Sequence, residues 1–145
     1  MRLIIQRVSE AHVSVANRII GAIDYGLCVF AGFAIRDDEA KADLIADKLL
    51  RLRIFDDEQQ KMNRSIVEIA GEILVISQFT LYGNLKKGNR PSFTDAAPAE
   101  KAQALYGHFV DRLRASKLKI ATGQFQARME VALKNDGPVT FILEA

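Results

Sequence analysis

The chain has 145 residues, 49% of them hydrophobic, so about 71 side chains are available to line one core, too few for two full domains. Twenty Lys plus Arg against 18 Asp plus Glu leave a net charge of +2, which excludes a disordered polyelectrolyte and steers a polyanion only weakly. The longest apolar run, Leu27 to Ile35, falls far short of a membrane span, and three apolar residues between Arg2 and Gln6 are too few for a secretory signal, so a cytosolic protein without membrane contact is expected.

The opening third reads as strands. Leu3, Ile5 and Val8, then Val13 and Val15 beside Ile19, Ile20 and Ile23, predict β segments with a hairpin turn at Ala16-Asn17-Arg18. Leu27 to Phe33 is apolar on both faces, as a central strand is, and Cys28 within it is expected to be a buried, inert thiol. Asp37 or Asp38 is placed to cap a helix whose apolar stripe is Ala42, Ile45, Leu49 and Leu52. Ile54-Phe55 predicts a short strand and Asp56 to Arg64 a surface loop.

Glu72 to Leu81, after Gly71, is the strongest strand signal, apolar in its first half and mixed in its second. Tyr82 to Phe93 reads as an exposed loop, and Asp95 and Pro98 mark the start of a second helix with Ala102, Leu105, Phe109 and Leu113 on one stripe. Leu118 to Thr122, Met129 to Leu133 and Val139 to Leu143 return to strands, the last pair joined as a hairpin by Asn135-Asp136-Gly137-Pro138. The expected fold is α+β: a curved sheet or open barrel with two amphipathic helices packed against it, in a single domain spanning residues 1 to 145.

Ser77-Gln78-Phe79-Thr80 places hydroxyl and amide groups directly after four core residues, which fixes polar atoms on a rigid element. In a regular strand Ser77 and Phe79 share one face and Gln78 and Thr80 the other, so two hydroxyls cannot meet one substrate unless a bulge intervenes. Free backbone N–H groups there are the alternative electrophile-stabilising donors, and a pair of satisfied hydroxyls at a sheet margin is the plain structural alternative. Gly137-Pro138 reads first as a turn. In a functional version its unshielded glycine carbonyl approaches a ligand closely, and a cis bond would turn two carbonyls the same way.

Two basic clusters stand out. Arg112, Arg114, Lys117 and Lys119 suit the negative end of the second helix, whereas Lys86, Lys87 and Arg90 on a glycine-bearing loop suit either solvation or a few phosphates. His12 and His108 are the only imidazoles, and with one cysteine they make a poor metal site, so neither a metal nor another cofactor is expected.

Ser77-Gln78-Phe79-Thr80-Leu81 together with Asn135-Asp136-Gly137-Pro138-Val139-Thr140 resembles the two signature motifs of the D-aminoacyl-tRNA deacylase family. Ile5-Gln6-Arg7-Val8, Val13-Ser14-Val15 and Arg90-Pro91-Ser92-Phe93 are also similar, and the likeness runs through essentially the whole chain. It implies an enzyme that hydrolyses the ester joining a D-amino acid, or glycine mischarged on tRNA-Ala, to the 3′ end of tRNA. It also implies a homodimer with active sites at the interface, the Gly-Pro motif of one subunit projecting into the site of the other. By that resemblance Ser77, Gln78, Phe79 and Thr80 surround the scissile ester as the catalytic group. Gly137 and Pro138 form a filter against L-amino acids, Arg7 holds that motif, Ala102 contributes to an adenosine pocket, and Met129 is a further substrate-binding residue. The competing expectation is a non-catalytic module that binds the RNA acceptor end.

Overall fold

The computed structural model describes residues 1–145. Its first strand, β1 (Arg2–Val15), is long enough to serve as the backbone of the sheet. It turns at Ala16 and Asn17, both at positive φ (48° and 61°), into β2 (Arg18–Ile23). Two successive residues in that conformation make the tight turn whose twist matches the flanking strands. Arg18 therefore starts β2, opposite Val15. β3 (Gly26–Gly32) pairs antiparallel with the first half of β1, from Arg2 opposite Gly32 to Val8 opposite Gly26.

Asp38 caps α1 (Glu39–Arg51) by accepting the Lys41 N–H at 2.9 Å. Asp37 does other work: buried, its carboxylate accepts the Ala34 N–H and pairs with the Met1 ammonium. Leu52 lies just past the helix, and Ala42, Ile45 and Leu49 carry the buried stripe. α2 (Ala99–Arg114) packs against α1, with Ala102, Leu105, Phe109 and Leu113 buried as the spacing requires. Both helices lie on one face of the sheet, in a core with Leu3, Ile5, Leu27 and Val29. The alternate residues Val8, Val13, Cys28, Leu74 and Ile76 form a smaller core on the opposite face. β3 is thus apolar on both sides because both sides are covered, and burial pushes the Cys28 thiol up to about 12.

β6 (Glu72–Ser77) lies parallel to β3, and β7 (Ile120–Thr122) parallel to β6, giving the order β2-β1-β3-β6-β7. The sheet curls until its ends approach: a Cβ on Gly21 of β2 would lie 2.8 Å from the Thr122 carbonyl of β7. The pattern of elements predicts an α+β single domain with a curved sheet or open barrel, and the sheet is curved and nearly closed.

Three expectations are corrected. Asp56 to Arg64 is not all loop. β4 (Arg53–Asp56) pairs with β5 (Met62–Ser65), and Asp57 draws the turn tight by accepting the Gln59 and Lys61 N–H groups and the Asn63 amide. The strand predicted to reach Leu81 stops at Ser77, its last ladder partner being Ala31, because β3 departs after Gly32 and leaves no edge to extend along. The chain then turns through a 3-10 helix, Phe79–Tyr82, so the two-face rule does not apply to Phe79 and Thr80.

The predicted C-terminal hairpin is also absent. Residues 130–134 and 140–144 run in the same direction along one edge of β1 as a single strand, β8 (Glu130–Glu144). Thr140 faces Gln6 and Asn135 faces Val8, so the four residues 136–139 have only Arg7 opposite them and are pushed out of the ladder. A 14-residue template explains the outcome: β1 offers one continuous row of hydrogen-bonding groups to both halves.

Candidate active site

The end of β6 opens into a cavity of about 360 Å³, lined by Ser77, Gln78 and Phe79 on one side and by Ala96, Ala97, Pro98 and Ala102 at the entry to α2 on the other. Phe33, Phe93 and Phe125 complete its walls. Ser77 and Gln78 are half-buried while Phe79 is exposed, packing edge-on against Phe93 with ring centroids 5.0 Å apart. Ala102 belongs to the buried stripe of α2, and its small side chain leaves this space unfilled. One turn along, the buried Tyr106 donates its hydroxyl to the Val75 carbonyl at 2.9 Å, locking α2 to β6, and burial pushes its phenol up to about 12. The cavity is therefore mostly apolar with a polar strip on one wall, which suits a flat heterocycle held beside a polar reacting group.

Thr80 is exposed and its hydroxyl accepts a hydrogen bond from the Gln78 side-chain amide. Neither histidine is a base for it. His12 sits on β1 opposite Ala22 and Ala132, and His108 has its Nε2 2.8 Å from Asp43 Oδ1 between the two helices. The backbone is better placed. The Leu81 N–H bonds back to the Gln78 carbonyl, closing the first turn, and the first amides of a helical turn, here those of Phe79 and Thr80, have no partner within it.

Arg7 and the Gly137-Pro138 segment form a second constellation. Arg7 is buried, its Nε donates to the Asp136 carbonyl at 3.1 Å and pairs with the Asp136 carboxylate at 3.0 Å, and its Nη1 reaches the Ile54 carbonyl at 2.9 Å and Asp56 at 3.2 Å. Asn135 ties the base of the extruded segment, donating from Nδ2 to the carbonyls of Arg7 and Val139. The Gly137–Pro138 peptide is cis, and a Cβ on Gly137 would lie 1.9 Å from the Val139 nitrogen. Tyr25 stands alongside: burial pushes its phenol up, Arg7 opposes this and the Asp136 carboxylate adds to it.

The two constellations do not meet within one chain. Ser77 is level with Ala31, Leu3 and Leu143 across the sheet, whereas the extruded segment is level with Arg7. Four residues along β1 and three strand spacings across place them roughly 20 Å apart over the sheet surface. Met129 joins neither: it packs against the inner core, its sulfur close to Gly123 and its neighbour Ile76. Sequence reasoning passed over Phe33, Phe125 and the small residues Ala96, Ala97 and Ala99; the available signal was the alanine-rich approach to α2, too small in bulk to fill a core.

A family profile described as D-Tyr-tRNA(Tyr) deacylase matches residues 4–144. D-aminoacyl-tRNA deacylases of Thermotoga petrophila and Koribacter versatilis are 54% and 52% identical over 145 residues, covering 100% of this chain and 97% of each relative. Among solved structures, one described as c-Myc DNA Unwinding Element Binding Protein superposes with a TM-score of 0.94 at 40% identity, covering 100% of this chain and 99% of the other. A second, described as a "probable eukaryotic D-amino acid tRNA deacylase", gives 0.85 at 20% identity over 98% and 97% of the two chains and bears on the fold alone.

Proposed function

The chain belongs to the D-Tyr-tRNA(Tyr) deacylase family, and from that premise we propose how this D-aminoacyl-tRNA deacylase works. The terminal adenosine of the charged tRNA enters the cavity beside Ala102, which brings the ester linkage to Ser77, Gln78, Phe79 and Thr80. The amides of Phe79 and Thr80 hydrogen-bond the ester carbonyl oxygen as it gains negative charge. Donors of this kind lower a barrier by about 3–4 kcal/mol each. Water attacks the carbonyl carbon with help from the neighbouring ribose 2′-hydroxyl, and the bond to the ribose oxygen breaks. The products are a free amino acid and a tRNA with a free terminal hydroxyl. The absence of an imidazole from this wall is what favours substrate assistance over a hydroxyl nucleophile.

The observation that carries the quaternary part of the reading is the separation of the two constellations. A segment about 20 Å from Ser77 in its own chain can guard an ester there only if a second copy supplies it. The outer edge of β8 has no strand partner, so its backbone groups are free to pair with a second copy, and Phe141 and Ile142, 40% and 67% exposed, flank that edge on opposite faces of the sheet. In the homodimer the Gly137-Pro138 segment of one subunit then stands where only an L side chain would fall, so L-amino acids are rejected while D-amino acids and glycine pass. No helix is long and apolar enough to cross a membrane, and the reading places the enzyme in the cytosol with its substrate.

Incubation with D-Tyr-tRNA and L-Tyr-tRNA, following release of tyrosine, tests the reading, with glycyl-tRNA-Ala as a third substrate. Release from the D-substrate and from glycyl-tRNA, and not from the L-substrate, is expected. Release from neither tyrosyl substrate points to a binding module, and release from both to an unselective esterase.

A further inference from the structure

From Ile73 to Thr94 the chain has 22 residues with no Asp or Glu, and they include Lys86, Lys87 and Arg90. This segment alone carries +3 against +2 for the whole chain, so the other 123 residues sum to −1. A second acid-free stretch, residues 112–129, carries five cations, so the loop is one of two basic segments. Its base is closed by two backbone hydrogen bonds between Asn84 and Ser92, 2.7 and 3.0 Å, and the Asn84 side chain accepts the Lys86 N–H at 2.9 Å. Lys86, Lys87 and Arg90 are fully on the surface and none of them holds a carboxylate. In the other basic cluster Arg112 is paired with Asp47, Arg114 with Asp111 and Lys119 with Glu72, and of its four cations Lys117 alone holds no carboxylate.

The loop's position gives these free charges a role. It follows the 3-10 turn that starts at Phe79 and returns at Phe93, and both phenylalanines are walls of the cavity. Four residues reach at most about 13 Å from the Asn84–Ser92 closure, so the bent loop spans no more than the rise of about four stacked nucleotides. A shallow groove runs from Lys86 past Tyr82, with Arg2 and Asp95 on its sides, and Arg2 is already paired with Glu144. The arm has no aromatic side chain between Tyr82 and Phe93 on which a base could stack, so it suits phosphates and not bases.

We propose that Lys86, Lys87 and Arg90 form an arm that binds the sugar–phosphate backbone of the acceptor strand, a few nucleotides behind the terminal adenosine, and so holds the tRNA independently of the amino acid. This rests on the deacylase reading above. Two measurements on Lys86→Ala/Lys87→Ala/Arg90→Ala test it. Fluorescence anisotropy with uncharged tRNA needs no catalysis. Removing three phosphate contacts should reduce the slope of log affinity against log salt by about 2, so a fourfold rise in salt weakens the parent about 20-fold more than the variant. The second is the ratio of kcat/KM on D-Tyr-tRNA to that on D-tyrosyl-adenosine, expected to fall at least tenfold through KM and to recover in Lys86→Arg/Lys87→Arg. Equal salt slopes, or an unchanged ratio, overturn the arm. A parent that releases tyrosine from neither substrate overturns the deacylase reading instead, and the anisotropy still decides the arm.

Discussion

Replacing Arg7 with alanine is the sharpest test of how the extruded segment is held. The guanidinium makes four contacts, two to Asp136 and one each to Ile54 and Asp56, from a side chain that is 7% exposed. Breaking a buried ion pair costs about 3–5 kcal/mol. The carboxylates of Asp136 and Asp56 are 39% and 43% exposed and rehydrate once the cation is gone, which discounts the loss to about 2–3 kcal/mol. Urea unfolding should read that loss, and the melting temperature should fall by about 5–10 °C.

The effect on turnover should exceed the effect on folding. Asn135 still closes the base of the segment, so it remains extruded but loses its only buried anchor. A displacement of about 1 Å at a substrate-facing element costs about 100-fold in rate, and kcat/KM on D-Tyr-tRNA should drop by that order at a temperature where the variant is folded. Arg7→Lys should fall between, since one ammonium cannot serve Asp136 and the Ile54 carbonyl in the same fork geometry. If Arg7→Ala stays within about threefold of the parent while losing the expected stability, the segment is self-supporting and Arg7 is not a positioning residue.

Gly137→Ala should lose activity at least 100-fold without gaining any on L-Tyr-tRNA, because the new methyl would meet the Val139 nitrogen at 1.9 Å and force the whole segment to move. A variant that keeps its full activity on D-Tyr-tRNA would show that this segment does not stand beside the substrate. Thr80→Ala should keep kcat/KM within about tenfold, whereas D-Tyr-tRNA ending in 2′-deoxyadenosine should be cleaved at least 100-fold more slowly; an acyl-enzyme trapped on Thr80 would reverse both expectations. Cys28, with its thiol raised to about 12 by burial, should resist iodoacetamide at pH 8 in the native protein and react at once in urea, as followed by mass spectrometry.

The elements legible in the sequence are those whose cause is local. Ala16-Asn17 forms its turn from two residues, Asp38 caps α1 through its own side chain, and the stripes of α1 and α2 follow from spacing alone. The misread elements have distant causes. Ser77 ends β6 because β3 leaves the sheet at Gly32, more than forty residues earlier in the chain. Asn135-Asp136-Gly137-Pro138 has the composition of a hairpin turn, yet no property of those four residues reveals that β1 spans both flanking halves.

The same division holds for the site. Ser77 to Thr80 and Gly137-Pro138 were legible as motifs, but their distance was not, and that distance is what makes a second subunit part of the argument. The cavity shows why composition misleads at such places. Ala102 sits on an apolar stripe at helical spacing and reads as core, and it is core, only 8% exposed. Its neighbours in space, Ala31, Ala96, Ala97 and Ala99, are also too small to meet one another across the gap. Larger side chains at the half-buried Ala96 and Ala97 would fill part of this space, so a row of alanines facing an open 360 Å³ is difficult to explain by packing alone. Space kept open beside a polar strand end is explained by an occupant, and the proposed mechanism puts the terminal nucleoside of the tRNA there.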